Sequence, residues 1–119
     1  MRDWAGIRER YLRDDLPVRL GGLAANLARV CSFSRNPVNR EVVNSLLDES
    51  KFFIEWTAAE AETDTAAQLV ELQIQLAVWQ LDWDRIWADQ GERAQVADQC
   101  RVWSNRILNL SGFLHERAR

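Results

Sequence analysis

The chain is predicted to be all-α: an up-down-up-down antiparallel four-helix bundle that carries a short extra N-terminal helix. Apolar residues recur at helical spacings through most of its 119 residues, and no segment alternates like a β-strand. Five glycines and two prolines leave few breaks between these segments. Because short links force neighbouring long helices to run antiparallel, we predict one bundle domain over residues 1–119.

A short first helix is predicted over residues 2–13, where three apolar residues share one face: Trp4, Ile7 and Tyr11. A helix of this length is unstable by itself in water. We therefore expect it to lie across one end of the body, or to pack on a second subunit.

The first long helix is predicted over residues 16–35, with Asp15 as its N-terminal cap and Pro17 in its first turn. Gly21 and Gly22 each lower the helix propensity of this segment by about 1 kcal/mol. Such a pair is typical of a close approach by a neighbouring helix or a bulky side chain. A tryptophan is our candidate for that neighbour.

The second long helix is predicted over residues 37–60, because Asn36 suits the cap and Pro37 the first helical position. The third is predicted over residues 65–90. We expect Gly91 to end it in the left-handed backbone conformation.

The fourth long helix is predicted over residues 92–117, where one apolar stripe keeps the spacing 4-3-4-3-4: Val96, Cys100, Trp103, Ile107, Leu110 and Leu114. Cys31 adjoins the stripe of the first long helix, and the chain has no CxxC pair. We expect both cysteines to be buried reduced thiols. No apolar run reaches membrane length and the opening residues do not resemble a secretory signal, so we expect a cytoplasmic protein without a membrane segment.

The third long helix carries apolar residues on two sides. One stripe is formed by Leu69, Leu72, Leu76, Trp79, Trp83 and Ile86, with Trp87 beside them. Its three tryptophans stand four residues apart. The other stripe lies on a different side: Val70, Ile74, Val78 and Leu81. A bundle helix usually buries one face, so this second stripe, together with Trp87, predicts an interaction surface that a homodimer covers.

A ligand pocket between the helix ends is the alternative use of the aromatic residues. Several of the six tryptophans fall near predicted helix ends, where bundles leave openings. The candidate pocket residues are Trp56, Trp103 and Arg106. Indoles around such an opening suit a flat apolar ligand, so this alternative is a small-molecule-binding or enzymatic bundle.

The net charge of −3 is unevenly distributed. Residues 1–40 carry eight arginines against four acids, whereas residues 41–90 carry eleven acids against one lysine and one arginine. We expect these charges to offset one another within or between subunits. Nucleic-acid binding through the first 40 residues is a weaker alternative, because acids interrupt the arginines.

Four acids recur at intervals of seven along the second long helix: Glu41, Asp48, Glu55 and Glu62. Such a line is typical of a solvated helix face. The functional alternative is a docking surface for an arginine-rich partner, or for the basic first segment of a second subunit.

The residues that carry enzyme chemistry in helical bundles are absent from this sequence. His115 is the only histidine, and no Glu or Asp stands three residues before it, so di-iron and histidine-zinc sites are disfavoured. Ser104 and Ser111 have no evident base, and no glycine-rich phosphate loop follows a strand. We predict no catalytic residue, metal site or cofactor.

Together these observations predict a non-catalytic helical interaction or regulatory module that forms a homodimer in the cytoplasm. Its partner protein is not identified by any motif. The fourteen arginines against one lysine favour a bacterial source with a GC-rich genome.

Overall fold

This computed structural model describes residues 2–112, which form six α-helices and one 3-10 turn without a β-strand. The helices are α1 (Trp4–Leu12), α2 (Leu16–Phe33), α3 (Arg40–Ala58), α4 (Thr63–Leu81), α5 (Trp83–Ala88) and α6 (Gln90–Ser111), with the 3-10 turn at Pro37–Asn39. The predicted all-α fold class is therefore confirmed. None of these helices combines the length and the apolar character that crossing a membrane requires.

The long helices pack as neighbours around α2 and α3. α2 packs against α3 and α6, α3 also packs against α4 and α1, and α5 packs against α6. The principal extents are 42 × 33 × 22 Å.

Side-chain bonds fix the relative direction of α2 and α3. Asn26 Nδ2 donates to Glu49 Oε1 at 3.0 Å, and Arg19 Nη1 donates to Glu60 Oε2 at 2.6 Å. Residue numbers therefore rise along α2 as they fall along α3. On the other side of α2, Ser104 Oγ donates to the Ala24 carbonyl oxygen at 2.8 Å and joins α6.

The core is filled by apolar side chains of α2, α3, α4 and α6. Eleven of them have no exposed surface: Leu23, Leu27, Val30, Val43, Leu47, Ile54, Leu69, Leu72, Leu76, Cys100 and Ile107. Cys31 is half-buried, and both cysteines are free thiols. The periodicity in the sequence thus identified the buried faces of α4 and α6.

Helix α1 lies on α3 of the same chain. The Tyr11 ring stacks on Phe53 with centroids 3.9 Å apart, and the Trp4 ring meets Phe52 at 4.4 Å. A Cβ atom added to Gly22 would lie 3.8 Å from Tyr11 Cε1, whereas one added to Gly21 would meet nothing within 4 Å. The bulky neighbour of the glycine pair is therefore a tyrosine, and the expectation of a tryptophan was wrong.

The single helix predicted over residues 65–90 was wrong. α4 ends at Leu81, and Asp82 leaves helical geometry with φ −125° and ψ 33°. The short helix α5 then carries Trp83 and Trp87 inward to the core. α4 packs mainly on α3, and the bend at Asp82 lets α5 pack on α6 instead.

The predicted role of Gly91 was also wrong. Asp89 caps α6, since its Oδ1 accepts from the backbone N–H groups of Gly91 at 2.8 Å and Glu92 at 3.2 Å. A carboxylate at this position satisfies two of the free N–H groups of the new helix, so the chain begins α6 without a left-handed residue. Within residues 2–112, Gly112 alone has a positive φ, of 73°.

Other helix ends differ modestly from the prediction. Asn36 is confirmed as a cap, its Oδ1 accepting from Val38 N at 3.0 Å, but a 3-10 turn precedes the start of α3. α6 begins at Gln90 and ends at Ser111. The predicted last turns of that helix, with Leu114 and His115, lie outside the described residues.

Ion pairs join the basic first segment to the acidic middle of the chain. Arg2 pairs with Glu49, Arg19 with Glu60, and Arg40 with Asp84. These contacts confirm that part of the charge asymmetry is offset within one chain.

Candidate functional site

The outer face of α4 carries the second stripe that the sequence predicted. Its four side chains are hereafter the α4 stripe, with exposed fractions of 44% for Val70, 59% for Ile74, 52% for Val78 and 88% for Leu81. They extend over about three helical turns. The opposite face of α4 is buried through Leu69, Leu72, Leu76 and Trp79. α4 therefore has large apolar residues on two sides, and only one of these sides packs against the rest of the described chain.

Two glutamines hold α4 against α3. Gln73 Nε2 donates to the Lys51 carbonyl oxygen at 3.2 Å. Gln80 Nε2 donates to Asn44 Oδ1 at 2.8 Å and to Asp48 Oδ1 at 2.9 Å. These bonds fix the helix pair in opposite directions and orient the α4 stripe away from α3.

A groove runs along α3, beside α4 in one part and beside Trp83 of α5 in the other. One part, of about 620 Å³, has apolar walls from Trp4, Phe52, Ile74 and Ala77. Its polar lining comes from Asp48, Lys51, Glu55 and Gln73. A second part, of about 520 Å³, is lined by Arg40, Glu41, Asn44, Ser45, Asp48 and Trp83. Because Asp48 lines both parts, they adjoin, and we name them together the α3–α4 groove.

Trp87 lies in the core and contributes no exposed surface beside the α4 stripe. It is 5% exposed, and its Nε1 donates to the Pro37 carbonyl oxygen at 2.9 Å. Its ring centroid lies 5.4 Å from that of Trp83. The bend at Asp82 accounts for this placement, because it directs α5 towards α6.

The three candidate pocket residues meet different neighbours. Trp56 is half-buried beside the Phe52 and Tyr11 rings, at centroid distances of 5.5 and 6.0 Å. Trp103 is 8% exposed, and the Arg106 guanidinium carbon lies 4.3 Å above its ring. Neither part of the α3–α4 groove is lined by Trp56, Trp103 or Arg106.

A separate cleft of about 480 Å³ lies over the glycine pair of α2, and we name it the glycine cleft. The small residues Gly21, Gly22 and Ala25 of α2 line it. Tyr11, Phe53 and Leu108 supply its apolar walls. At one end Arg29 Nη1 donates to Asn26 Oδ1 at 3.1 Å. The sequence pointed to the glycine pair but not to the open space above it.

Buried ionisable groups in the described chain hold their protons. Burial raises the pKa of Tyr11 to about 12, and its hydroxyl donates to the Arg19 carbonyl oxygen at 2.8 Å. Burial likewise raises the pKa of Cys100 to about 12. Neither group is a thiolate or phenolate near neutral pH, so neither supplies a nucleophile there.

Charge compensation also explains the Arg19–Glu60 pair. The hydrogen bond between the two side chains raises the pKa of Arg19 and lowers that of Glu60, so both stay ionised. Within residues 2–112, no group of three or more His, Cys, Asp and Glu side chains is arranged to hold a metal ion.

Comparison with known proteins yields no relative. No protein-family model, no curated protein and no solved structure matches the chain. The features that bear on function are therefore those of the molecule itself, such as the α4 stripe and the α3–α4 groove.

Sequence reasoning identified the acidic side of the groove as an alternative docking surface, but not the residues opposite it. The line of acids at Glu41, Asp48 and Glu55 marked one of its walls. The opposite wall comes from Ile74 and Ala77 of α4, and one end from Trp4 of α1. These residues are distant in sequence, so only the packing of α1 and α4 on α3 brings them together.

Proposed function

We propose that this chain is a non-catalytic helical interaction or regulatory module that forms a homodimer through the α4 stripe. The observation that carries the proposal is the exposure of four large apolar side chains, from 44% to 88%, on one face of one helix. Removing apolar surface from water is favourable by about 25 cal/mol per Å². An isologous contact lets one stripe cover its own copy, which is the commonest arrangement of small oligomers.

The proposed module has a defined helix topology. We propose that α2, α3, α4 and α6 form a four-helix bundle with an up-down-up-down order. The opposite directions of α2 and α3, and of α3 and α4, support this order.

The proposal also includes a location and a source. We propose a cytoplasmic location, which the free thiols of Cys31 and Cys100 support. A bacterial source is supported by the preference for arginine over lysine.

Native mass spectrometry at low and moderate protein concentration tests the homodimer. We expect a dimer for the unsubstituted protein and a monomer for Val78→Glu, because that substitution puts an unpaired carboxylate into an apolar contact. The matched control is Val102→Glu on α6, since Val102 is 49% exposed and Val78 52%. The control should remain dimeric, and circular dichroism should report equal helix content for both variants.

Two results would contradict the homodimer. One is an unsubstituted protein that is monomeric at both concentrations. The other is a dimer that persists in Val78→Glu, which would place the contact elsewhere on the molecule.

Small-molecule binding is a second candidate function, and the glycine cleft favours it. Its volume of about 480 Å³ lies within the range of about 300–1,000 Å³ that ligand sites occupy. The same spectra test it, because a bound molecule adds a defined mass to the protein. Spectra with protein mass alone, from material purified under non-denaturing conditions, would count against it.

A further inference from the structure

We propose that the α3–α4 groove binds a basic amphipathic helix of a partner protein. This inference rests on the proposed function, since it names the partner chemistry of an interaction module. It concerns a different surface from the proposed dimer contact, although Ile74 belongs to both.

The shape of the groove fits a helix. The acids that line it extend from Glu41 to Glu55 along α3, a length of about 21 Å or four helical turns. In the larger part, Phe52 of α3 lies on one side, Ile74 and Ala77 of α4 lie on the other, and Trp4 lies at one end. In the second part, Trp83 is the apolar residue of the lining. A helix laid between the two sides of the larger part places its apolar face against both, as in other helix-in-groove contacts.

The charge of the groove selects a basic helix. Glu41 and Glu55 have no ion pair among the residues that the structure describes, and both are exposed. Asp48 lies between them, 3.8 Å from Lys51 Nζ. Arg40 also lines the groove, but its charge is taken by Asp84, which lies outside the lining.

The spacing of the acids adds register to this charge. Glu41, Asp48 and Glu55 stand seven residues apart and lie on one side of α3, two helical turns from one to the next. Lysines or arginines at intervals of seven on the bound helix repeat at the same distance. The three acids can then be paired at once by a helix that lies along α3.

A second copy of the chain offers a poorer charge match at this groove. The helix that forms one wall, α4, contains Asp64 and Glu71 and no lysine or arginine. The arginines of the first segment are partly taken by internal pairs, such as Arg2 with Glu49 and Arg19 with Glu60. A separate basic partner leaves these internal pairs in place.

Fluorescence anisotropy with a labelled synthetic peptide tests the proposal on the full chain. The probe is a leucine–lysine amphipathic helix of about four turns, and its control is the same peptide with glutamate in place of lysine. We expect saturable binding of the lysine peptide, weakened by added salt, and no binding of the glutamate peptide.

Charge reversals locate the binding site. Glu55→Lys should weaken binding of the lysine peptide about fivefold, because it replaces an attraction by a repulsion. The matched control is Asp98→Lys, an equal charge change at an exposed position of α6 that does not line the groove. We expect the control to change the affinity less than about twofold, since screening limits the reach of an exposed charge.

Several outcomes would overturn the groove assignment: equal binding of the two peptides, equal effects of the two charge reversals, or loss of the homodimer in Glu55→Lys. The last of these would make a second copy the occupant. The two proposals can fail separately. A monomeric protein that binds the lysine peptide through Glu55 would support the groove assignment and contradict the homodimer. A dimer that does not bind the lysine peptide would support the homodimer and contradict the groove assignment.

Discussion

Helices α2 and α4 have 18 and 19 residues and are both rich in leucine, valine and alanine, but their surroundings differ. α2 lies between α3 and α6, whereas α4 packs mainly on α3. α2 lines the glycine cleft with Gly21, Gly22 and Ala25, and it exposes two large apolar residues, Val18 at 44% and Phe33 at 37%. α4 exposes the four residues of the α4 stripe, up to 88% for Leu81. α2, with two long neighbours, therefore exposes fewer large apolar residues than α4, which packs mainly on one.

The two water-facing sides also differ in what they offer. Small residues on α2 open a cleft, and the exposed large apolar residues of this helix are Val18 and Phe33. Large residues on α4 leave apolar surface that extends into the α3–α4 groove through Ile74. This contrast is why the proposals above concern α4 and α3.

The largest effect expected is on stability, and it compares a leucine from each helix. Leu27 of α2 is fully buried and Leu81 of α4 is 88% exposed. Leu27→Ala should lower the free energy of unfolding by about 2–5 kcal/mol, because it leaves a cavity. Leu81→Ala should change it by less than about 0.5 kcal/mol in the monomer.

Urea unfolding measures this difference at a protein concentration where further dilution no longer moves the midpoint, so that dimerisation does not contribute. Equal losses in the two variants would mean that Leu81 is covered within the monomer. The comparison between the two helices would then be wrong.

An intermediate effect on the free energy of unfolding is expected at alkaline pH, where Tyr11, which packs on α2 in the folded protein, loses its proton in the unfolded chain. Burial raises the pKa of Tyr11 from 10.0 to about 12. Its contribution to stability is complete below the lower value and is lost as the pH rises through the upper one, since the unfolded chain releases the proton first. Between about pH 8 and pH 11, the unsubstituted protein should lose about 1 kcal/mol more stability than Tyr11→Phe.

Urea unfolding of both proteins at the two pH values measures this difference. Cys100, whose pKa burial also raises, contributes an alkaline loss that is common to both proteins and cancels. Identical pH dependence in the two proteins would show that ionisation of Tyr11 has no effect on folding.

The smallest effect expected is a gain, at the water-facing side of α2. Gly21 lies within the helix, and a Cβ atom there would meet nothing within 4 Å. Gly21→Ala should therefore raise the free energy of unfolding by about 0.5–1 kcal/mol, through higher helix propensity. Thermal and urea unfolding measure it, and a loss of stability would mean that the glycine cleft is occupied in solution.

The sequence predicted the all-α class and several helix boundaries and faces because their signals were local. Asn36 and Pro37 marked the boundary before α3, and the stripe through Val96, Cys100 and Ile107 identified the buried face of α6. The α4 stripe was separated from the buried face of its helix by spacing alone. Each of these features depends on residues within a few turns of one another.

The bend at Asp82 escaped prediction because the apolar spacing continues across it. Trp79 and Trp83 stand four residues apart and are both buried, as on an unbroken helix. The break depends on where α5 finds a neighbour, which is a property of packing. The burial of Trp87 followed from the same packing, so its position near a predicted helix end was misleading.

The lone lysine of the chain places a primary amine in the α3–α4 groove. Lys51 lines the groove, and its side chain is 31% exposed. Reagents that acylate primary amines on side chains have this single target among 119 residues. Its rate of modification reports directly on whether the groove is open or covered, without the need to introduce a label.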